Sequence, residues 1–230
     1  MMKRRFCFTL LMFLMAGFVF AGTVKIPKTG QTKCWNQYGY EELSCAGTGQ
    51  DSDIQAGVAL PSPRFTVNAG TVVDNLTGLI WTQDGNLMVT RDPGYDYNSI
   101  PDDGAVLYYR ALNYVTKLND EGYLGYNDWR LPNVNEMNSL INANEPHNET
   151  WLNSRGFINA KHGSYWTSTT DAYLTNFAWV VDMGDNNGVV VDYGHKSGSN
   201  LVWPVRTGKC NNAAVCLPKT GQTICYKHLR

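Results

Sequence analysis

The stretch DWRLPNVNEMNSLI, residues 128–141, contains a strand end, a helix start and the buried face of a helix. Pro132 has no backbone N–H, and it ends the extended segment before it. Asn133 and Glu136 have the spacing of a capping box, in which each side chain accepts a hydrogen bond from the other residue's backbone N–H. A short helix follows, and its buried face is predicted to contain Val134, Met137, Leu140 and Ile141.

Before this stretch the sequence predicts a hairpin and a first helix. The β-rich runs at 71–74 and 79–82 flank a turn and form the hairpin. Residues 105–119 form the helix, which Asp102 or Asp103 caps. Its buried face is predicted to contain Leu107, Ala111, Leu112, Val115 and Leu118.

After this stretch the sequence is rich in strands, which are predicted at 165–168, 177–183, 189–193 and 201–206. Residues 184–188 form a turn between two of them. Helices in the first part and strands in the second predict an α+β domain. Its two short helices pack on a twisted antiparallel sheet that is connected by long loops.

The first 21 residues have the pattern of a secretory signal peptide. A positive segment, Lys3 to Arg5, precedes about 16 mainly apolar residues that end in the small residue Ala21. An uncleaved N-terminal anchor is the alternative. Cleavage leaves 16 basic and 20 acidic residues, a net charge of −4, and no segment long enough to span a membrane. We expect an exported protein of the periplasm, the cell surface or the extracellular space.

The two ends of the chain repeat each other. Residues 26–34 read IPKTGQTKC and residues 217–225 read LPKTGQTIC, with seven of nine positions identical. This repeat predicts that a second copy of the module begins near the C-terminus and is truncated. The predicted organisation is a signal peptide (1–21), a cysteine-containing lead-in and linker (22–64), a folded domain (65–208) and a tail (209–230).

Five cysteines follow the predicted signal peptide, and all of them lie near the ends of the chain. Short loops close most readily, which predicts the pairs Cys34–Cys45 and Cys210–Cys216. Cys225 is left over, as a free thiol or as half of an intermolecular disulfide. The alternative is a clasp between the two ends, such as Cys45–Cys210.

The tryptophans and charged residues of the middle segment have structural interpretations. Five tryptophans lie in strand-like runs and are predicted to pack in the core: Trp81, Trp129, Trp166, Trp179 and Trp203. Arg130 and Arg206 flank such runs, and Asp74, Asp128 and Glu136 are near them in the sequence. We expect these charged residues to form a half-buried ion-pair or hydrogen-bond network rather than to act in catalysis.

Other polar patterns are weak. Glu145-Pro146-His147 resembles a calcium-dependent sugar-binding loop, but its third residue differs. The long loop predicted at 84–104 has oxygen ligands suited to Ca²⁺, without a regular spacing: Asp92, Asp96, Asn98, Asp102 and Asp103. Four histidines have no spacing typical of zinc sites: His147, His162, His195 and His228. The sequence therefore predicts no catalytic residue, no cofactor and no metal site.

Four separated runs resemble the Lcl C-terminal-domain family, an exported bacterial module: DNLTGLIW (74–81), DWRLPNVNE (128–136), YWTSTT (165–170) and VWPVR (202–206). The resemblance covers about residues 25–208. It implies a C-type-lectin-like fold, shared in outline with sulfatase-modifying proteins. It also implies binding of sulfated glycans and of host or bacterial surfaces. This chain departs from that pattern in having no collagen-like repeat and no basic excess.

The sequence thus favours a non-catalytic, exported binding or adhesion module whose partners are glycans or cell-surface polymers. The balance of 19 basic and 20 acidic residues argues against a nucleic-acid binder. One alternative is a structural repeat of a larger surface protein. The other is an enzyme related to formylglycine-generating oxidases. That chemistry uses a cysteine pair in the core, and residues 46–209 contain no cysteine.

Overall fold

A computed structural model describes residues 25–39, 41–96, 103–184 and 190–208, together with positions 214, 215, 217, 220 and 222. The predicted signal peptide and most of the tail lie outside these residues. The described strands are β1 (Cys34–Trp35), β2 (Glu42–Leu43), β3 (Phe65–Asn68), β4 (Thr71–Asp74), β5 (Ile80–Thr82), β6 (Ala105–Leu107), β7 (Ser164–Thr170), β8 (Phe177–Asp182), β9 (Val191–His195), β10 (Ser199–Leu201) and β11 (Val205–Arg206). The helices are α1 (Asp51–Ile54), α2 (Leu87–Arg91), α3 (Tyr108–Asp120), α4 (Val134–Asn138) and α5 (Asn148–Ser154), with 3₁₀ turns at Pro93–Tyr95 and Tyr123–Gly125.

Two sheets organise the domain, and the mixture of helices and sheets confirms the α+β prediction. One sheet has five strands in the order β6-β10-β7-β8-β9, and the other has four in the order β11-β5-β4-β3. All of their ladders are antiparallel except β10–β7. Strands β1 and β2 form a separate small hairpin in the lead-in. The chain crosses between the sheets at Val202–Pro204, so the last strands join them.

The core is built around four fully buried tryptophans: Trp81, Trp129, Trp166 and Trp203. The Trp203 ring packs against the rings of Trp81, Phe157 and Tyr165 at centroid distances of 5.9, 5.1 and 5.4 Å. The indole of Trp166 donates to the Val106 carbonyl at 2.7 Å. Trp179 does not follow this pattern. It is only partly buried, and the prediction that all five tryptophans pack in the core is wrong for it.

The capping box and the hairpin are confirmed. The Asn133 side chain accepts from the Glu136 N–H at 2.9 Å, and the Glu136 carboxylate accepts from the Asn133 N–H at 2.8 Å. The helix that they start is short and ends at Asn138. Strands β4 and β5 pair through Val72 and Trp81, as the hairpin at 71–82 requires.

Two predictions before the capping box are wrong in detail. Residues 105–107 belong to strand β6, because Val106 is buried and this segment pairs with β10. Helix α3 begins only at Tyr108, its N-cap is Leu107, and Leu112 is exposed on it. The Asp103 carboxylate accepts instead from the Ala105 N–H. The segment predicted as a long loop at 84–104 contains helix α2.

The lead-in wraps onto the domain. The Lys28 N–H donates to the Val58 carbonyl, and the Ala143 N–H donates to the Thr29 carbonyl, both at 2.9 Å. The disulfide Cys34–Cys45 is present, which confirms that pairing. The predicted pair Cys210–Cys216 and the leftover Cys225 lie outside the described residues. Within the described ranges, no helix is both long and apolar enough to cross a membrane.

Candidate functional site: an exposed aromatic strip

Strand β8 places two half-buried aromatic side chains on one face of the five-stranded sheet. Side chains alternate across a strand, so Ala178 and Val180 enter the core and Phe177 and Trp179 point to the other face. In the part of the chain that the structure describes, β9 forms the edge of this sheet next to β8. Four of its five residues are exposed, and Gly194 is half-buried.

Two aromatic residues of β9 continue this face. Trp179 is paired with Tyr193, and Phe177 is paired with His195. The Phe177 ring lies 5.3 Å from the Tyr193 ring and 4.8 Å from the His195 ring, in edge-on contacts. The Tyr193 side chain is 49% exposed. We call these four residues the aromatic strip: Phe177, Trp179, Tyr193 and His195.

Polar groups fix one end of the aromatic strip. The His195 Nδ1 accepts from the Ser197 N–H at 3.2 Å, and its Nε2 lies 3.0 Å from the Asn176 amide nitrogen. These contacts hold the imidazole in one orientation. The loop before β8 adds Tyr173, which is 91% exposed and is the most exposed aromatic residue of the described chain.

A lysine lies beneath this end of the strip. The Lys196 ammonium donates to the Thr170 hydroxyl at 2.9 Å and to the Thr175 carbonyl at 3.0 Å, and it lies 5.0 Å from the centre of the Tyr108 ring. Burial lowers its pKa. This cation therefore holds the loop before β8 in place and is not offered to solvent.

A cleft lies between the lead-in and α4. It is an apolar cleft of about 500 Å³, and its lining includes Ile26, Pro27, Leu60, Ile141 and Leu217. Ile26 and Leu217 are the equivalent first residues of the two sequence repeats. Nothing within the described residues shows what would occupy this cleft.

The predicted charged residues form three separate pairs and not one network. Arg130 and Glu136 bond through two contacts of 2.7 Å, and Arg206 holds Asp128 at 2.7 and 3.2 Å. Asp74 is fully buried, and its partner is Arg64, at 2.7 and 3.0 Å. Sequence reasoning missed Arg64, although it directly precedes Phe65, the strand residue paired with Asp74.

Asp92, one of the described residues of the acidic loop, already has protein donors as partners. Asp92 accepts from Arg91, Lys117 and Tyr114 at 2.7, 2.9 and 3.2 Å. Burial opposes ionisation of Asp92, but the hydrogen bonds from Lys117 and Arg91 outweigh it and lower its pKa. Asn98 and Asp102, two other candidate calcium ligands, lie outside the described residues.

The histidines are distributed differently from what their spacing indicates. His195 belongs to the aromatic strip, and His228 lies outside the described residues. His147 and His162, far apart in sequence, come together with Glu149, with potential ligand atoms all within 4.8 Å of one another. We call these three residues the His–Glu–His cluster. No local motif could have revealed it, because the fold brings the start of α5 and the loop before β7 together.

The comparison with known families now places the chain. The Lcl C-terminal domain family matches residues 70–206, which include the five-stranded sheet, three of the four strands of the other sheet and the whole aromatic strip. The chain belongs to the Lcl C-terminal domain family. The comparison with curated proteins found no match. The Lcl C-terminal domain match begins within the β3–β4 hairpin, so the lead-in and its disulfide precede the matched region.

Proposed function

We propose that this Lcl C-terminal domain is part of an exported, non-catalytic binding module that recognises glycans or cell-surface polymers through the aromatic strip. The observation that carries this proposal is the row of four aromatic side chains on one face of β8 and β9, where Tyr193 and His195 are exposed and Phe177 and Trp179 are half-buried. Most rings of a small domain are needed in its core. A row of rings on a surface is instead typical of a recognition site.

The chemistry of the aromatic strip suits a sugar. A pyranose ring has apolar C–H faces that can lie against flat aromatic rings, and hydroxyls around its edge that need hydrogen bonds. Trp179 and Tyr193 supply flat surfaces with few rotatable bonds, so little conformational entropy is lost when they are covered. His195 and Asn176 supply polar atoms at one end of the row.

Charge has a minor role in the proposed recognition. The chain after the predicted signal peptide has a net charge of −4, and the strip's flanking residues include the exposed Asp192. The nearest lysine described above, Lys196, is buried. We therefore expect neutral sugars to be preferred over densely sulfated ones. Binding to a polyanion would weaken steeply with salt, and binding by stacking would not.

A glycan array with the purified protein tests this proposal. We expect a defined group of glycans to bind, with little change when salt is raised or when EDTA is added. The double variant Trp179→Ala/Tyr193→Ala should lose that binding. A matched control is Tyr38→Ala, which removes an exposed aromatic residue of the lead-in. Failure of every glycan to bind, or equal binding by the double variant, would contradict the proposal.

A second candidate function is a repeating unit of a larger surface protein. The specific observation is that Ile26 and Leu217, which begin the two repeats, line the same cleft. The lead-in of a following module would then begin at the cleft that the lead-in of this module also lines. This role is compatible with glycan binding. It predicts a longer gene product, which intact-mass analysis of the exported protein would detect.

A further inference from the structure

The His–Glu–His cluster joins residues from two separate parts of the chain. His147 is the residue before α5, and Glu149 lies in the first turn of that helix. His162 comes 13 residues after Glu149, in the loop that leads into β7. Potential ligand atoms of the three side chains all lie within 4.8 Å of one another.

The Glu149 carboxylate has an unexplained atom. Its side chain is only 13% exposed, and its Oε2 is buried without a hydrogen-bond partner anywhere in the described chain. A buried carboxylate oxygen without a partner is destabilising, and native structures usually supply a donor or a cation. The His147 Nδ1 lies 3.7 Å from Oε1 of the same carboxylate, which is too far for a hydrogen bond.

That separation suits two ligands of one metal ion. Two atoms bound at 2.0–2.1 Å to a tetrahedral centre lie roughly 3.3 Å apart. All potential ligand atoms of the cluster lie within 4.8 Å of one another, so surrounding an ion requires the side chains to move inward by up to about 1.5 Å. The side chain of His147 is 54% exposed, so solvent or a further ligand can reach the remaining coordination position.

The backbone around the cluster is well anchored. The Glu149 N–H donates to the Met183 carbonyl, and the Met183 N–H donates to the Gly163 carbonyl, both at 3.1 Å. These bonds connect the start of α5 to the segment after β8, and that segment to the loop before β7. A Cβ at position 184 would overlap the His162 ring, so Gly184 makes the room that the imidazole occupies. Ligands held by such a frame lose little freedom on binding.

We propose that His147, Glu149 and His162 form a binding site for a divalent transition-metal ion, with Zn²⁺ as the probe. Two imidazole nitrogens and one carboxylate oxygen are a ligand set that suits zinc and its neighbours in the transition series. Calcium and magnesium prefer oxygen ligands alone. A bound ion would clip α5 to the loop before β7, and the site is independent of the aromatic strip.

Calorimetric titration of the full, untagged and metal-free protein with ZnCl₂ tests this site. We expect one zinc ion per chain and no comparable binding of Ca²⁺ or Mg²⁺. His147→Ala and His162→Ala should each weaken binding by roughly tenfold or more. Both histidines are exposed, so these variants should fold even if Glu149→Gln does not. The matched control is His195→Ala, which removes an exposed histidine of the aromatic strip and should leave zinc affinity unchanged.

Thermal unfolding supplies a second readout. Zinc should raise the Tm of the wild-type protein, because the ion binds the folded state, and it should do so less for His162→Ala. Absence of zinc binding by the wild-type protein would overturn the proposal. Equal zinc affinity in the wild type and in both histidine variants would overturn it as well. If the wild-type protein binds zinc but binds no glycan, the result counts against the proposed function and not against the metal site.

Discussion

Trp179 of β8 lies directly across from Tyr193 of β9, with 6.5 Å between the ring centroids and an edge-on geometry. The pair sits on the face of the sheet opposite Ala178 and Val180, which enter the core. The same strand therefore contributes both to the packing of the domain and, through its half-buried rings, to the aromatic strip. This division suggests that the strip can be altered without loss of the fold.

The first prediction separates the strip from the core. Tyr193→Ala should change the free energy of unfolding by less than about 1 kcal/mol, because the side chain is half exposed. Trp203→Ala should cost about 3–5 kcal/mol, because it leaves a cavity among the rings of both sheets. Urea unfolding followed by circular dichroism measures both. Similar losses for the two variants would show that the strip is part of the core.

The second prediction concerns the buried pair of Arg64 and Asp74. Asp74→Ala should destabilise the domain by about 3–5 kcal/mol, because it leaves a buried guanidinium without its partner. The matched control is Asp128→Ala, which breaks a partly exposed pair with Arg206 and should cost about 1 kcal/mol or less. The measurement is again urea unfolding. An equal loss of unfolding free energy in Asp74→Ala and Asp128→Ala would contradict the prediction that the buried pair contributes more to stability.

The third prediction concerns pH. The lowered pKa of Asp92 means that the folded state holds this carboxylate ionised at a pH where the unfolded chain is protonated. Its contribution is therefore complete at neutral pH and is lost as the pH falls below about 4. Asp92→Asn should cost about 1–2 kcal/mol at pH 7. The difference from the wild type should shrink between pH 5 and pH 3 in urea titrations, and a constant difference would contradict it.

The fourth prediction concerns the disulfides. The Cys34–Cys45 disulfide closes a short loop. Its removal by Cys45→Ser should lower the free energy of unfolding of the lead-in by about 2–3 kcal/mol. Limited proteolysis should then cut the lead-in sooner, while the sheets remain protected.

Non-reducing peptide mapping should also find Cys210 joined to Cys216. A peptide that joins Cys34 or Cys45 to any cysteine of the tail would contradict this assignment.

Local patterns allowed the parts of the fold that depend on neighbours in sequence to be predicted. The capping box of Asn133 and Glu136 and the hairpin at 71–82 each need only a few consecutive residues. The orientation of Trp179 could not be predicted, because the run FAWVVD is apolar on both faces and has no polar side to assign to solvent. Likewise, the sequence predicts a helix for the β6 segment, because its pairing partner, β10, lies some 90 residues later.

The site residues show the same limit. Arg64 could have been found, since it adjoins the strand residue that is paired with Asp74. The His–Glu–His cluster could not, because the fold alone brings His147 and His162 together. The spacing of histidines excludes local zinc motifs but carries no information on ligands from separate loops.

The most direct test of the central claim is the affinity of Trp179→Ala for a glycan selected on the array. Calorimetric titration should show that this variant binds at least about tenfold more weakly than the wild type, as truncation of an aromatic hot spot does. Tyr38→Ala should bind within twofold of the wild type. Equal affinity of the wild type and Trp179→Ala would contradict recognition through the aromatic strip.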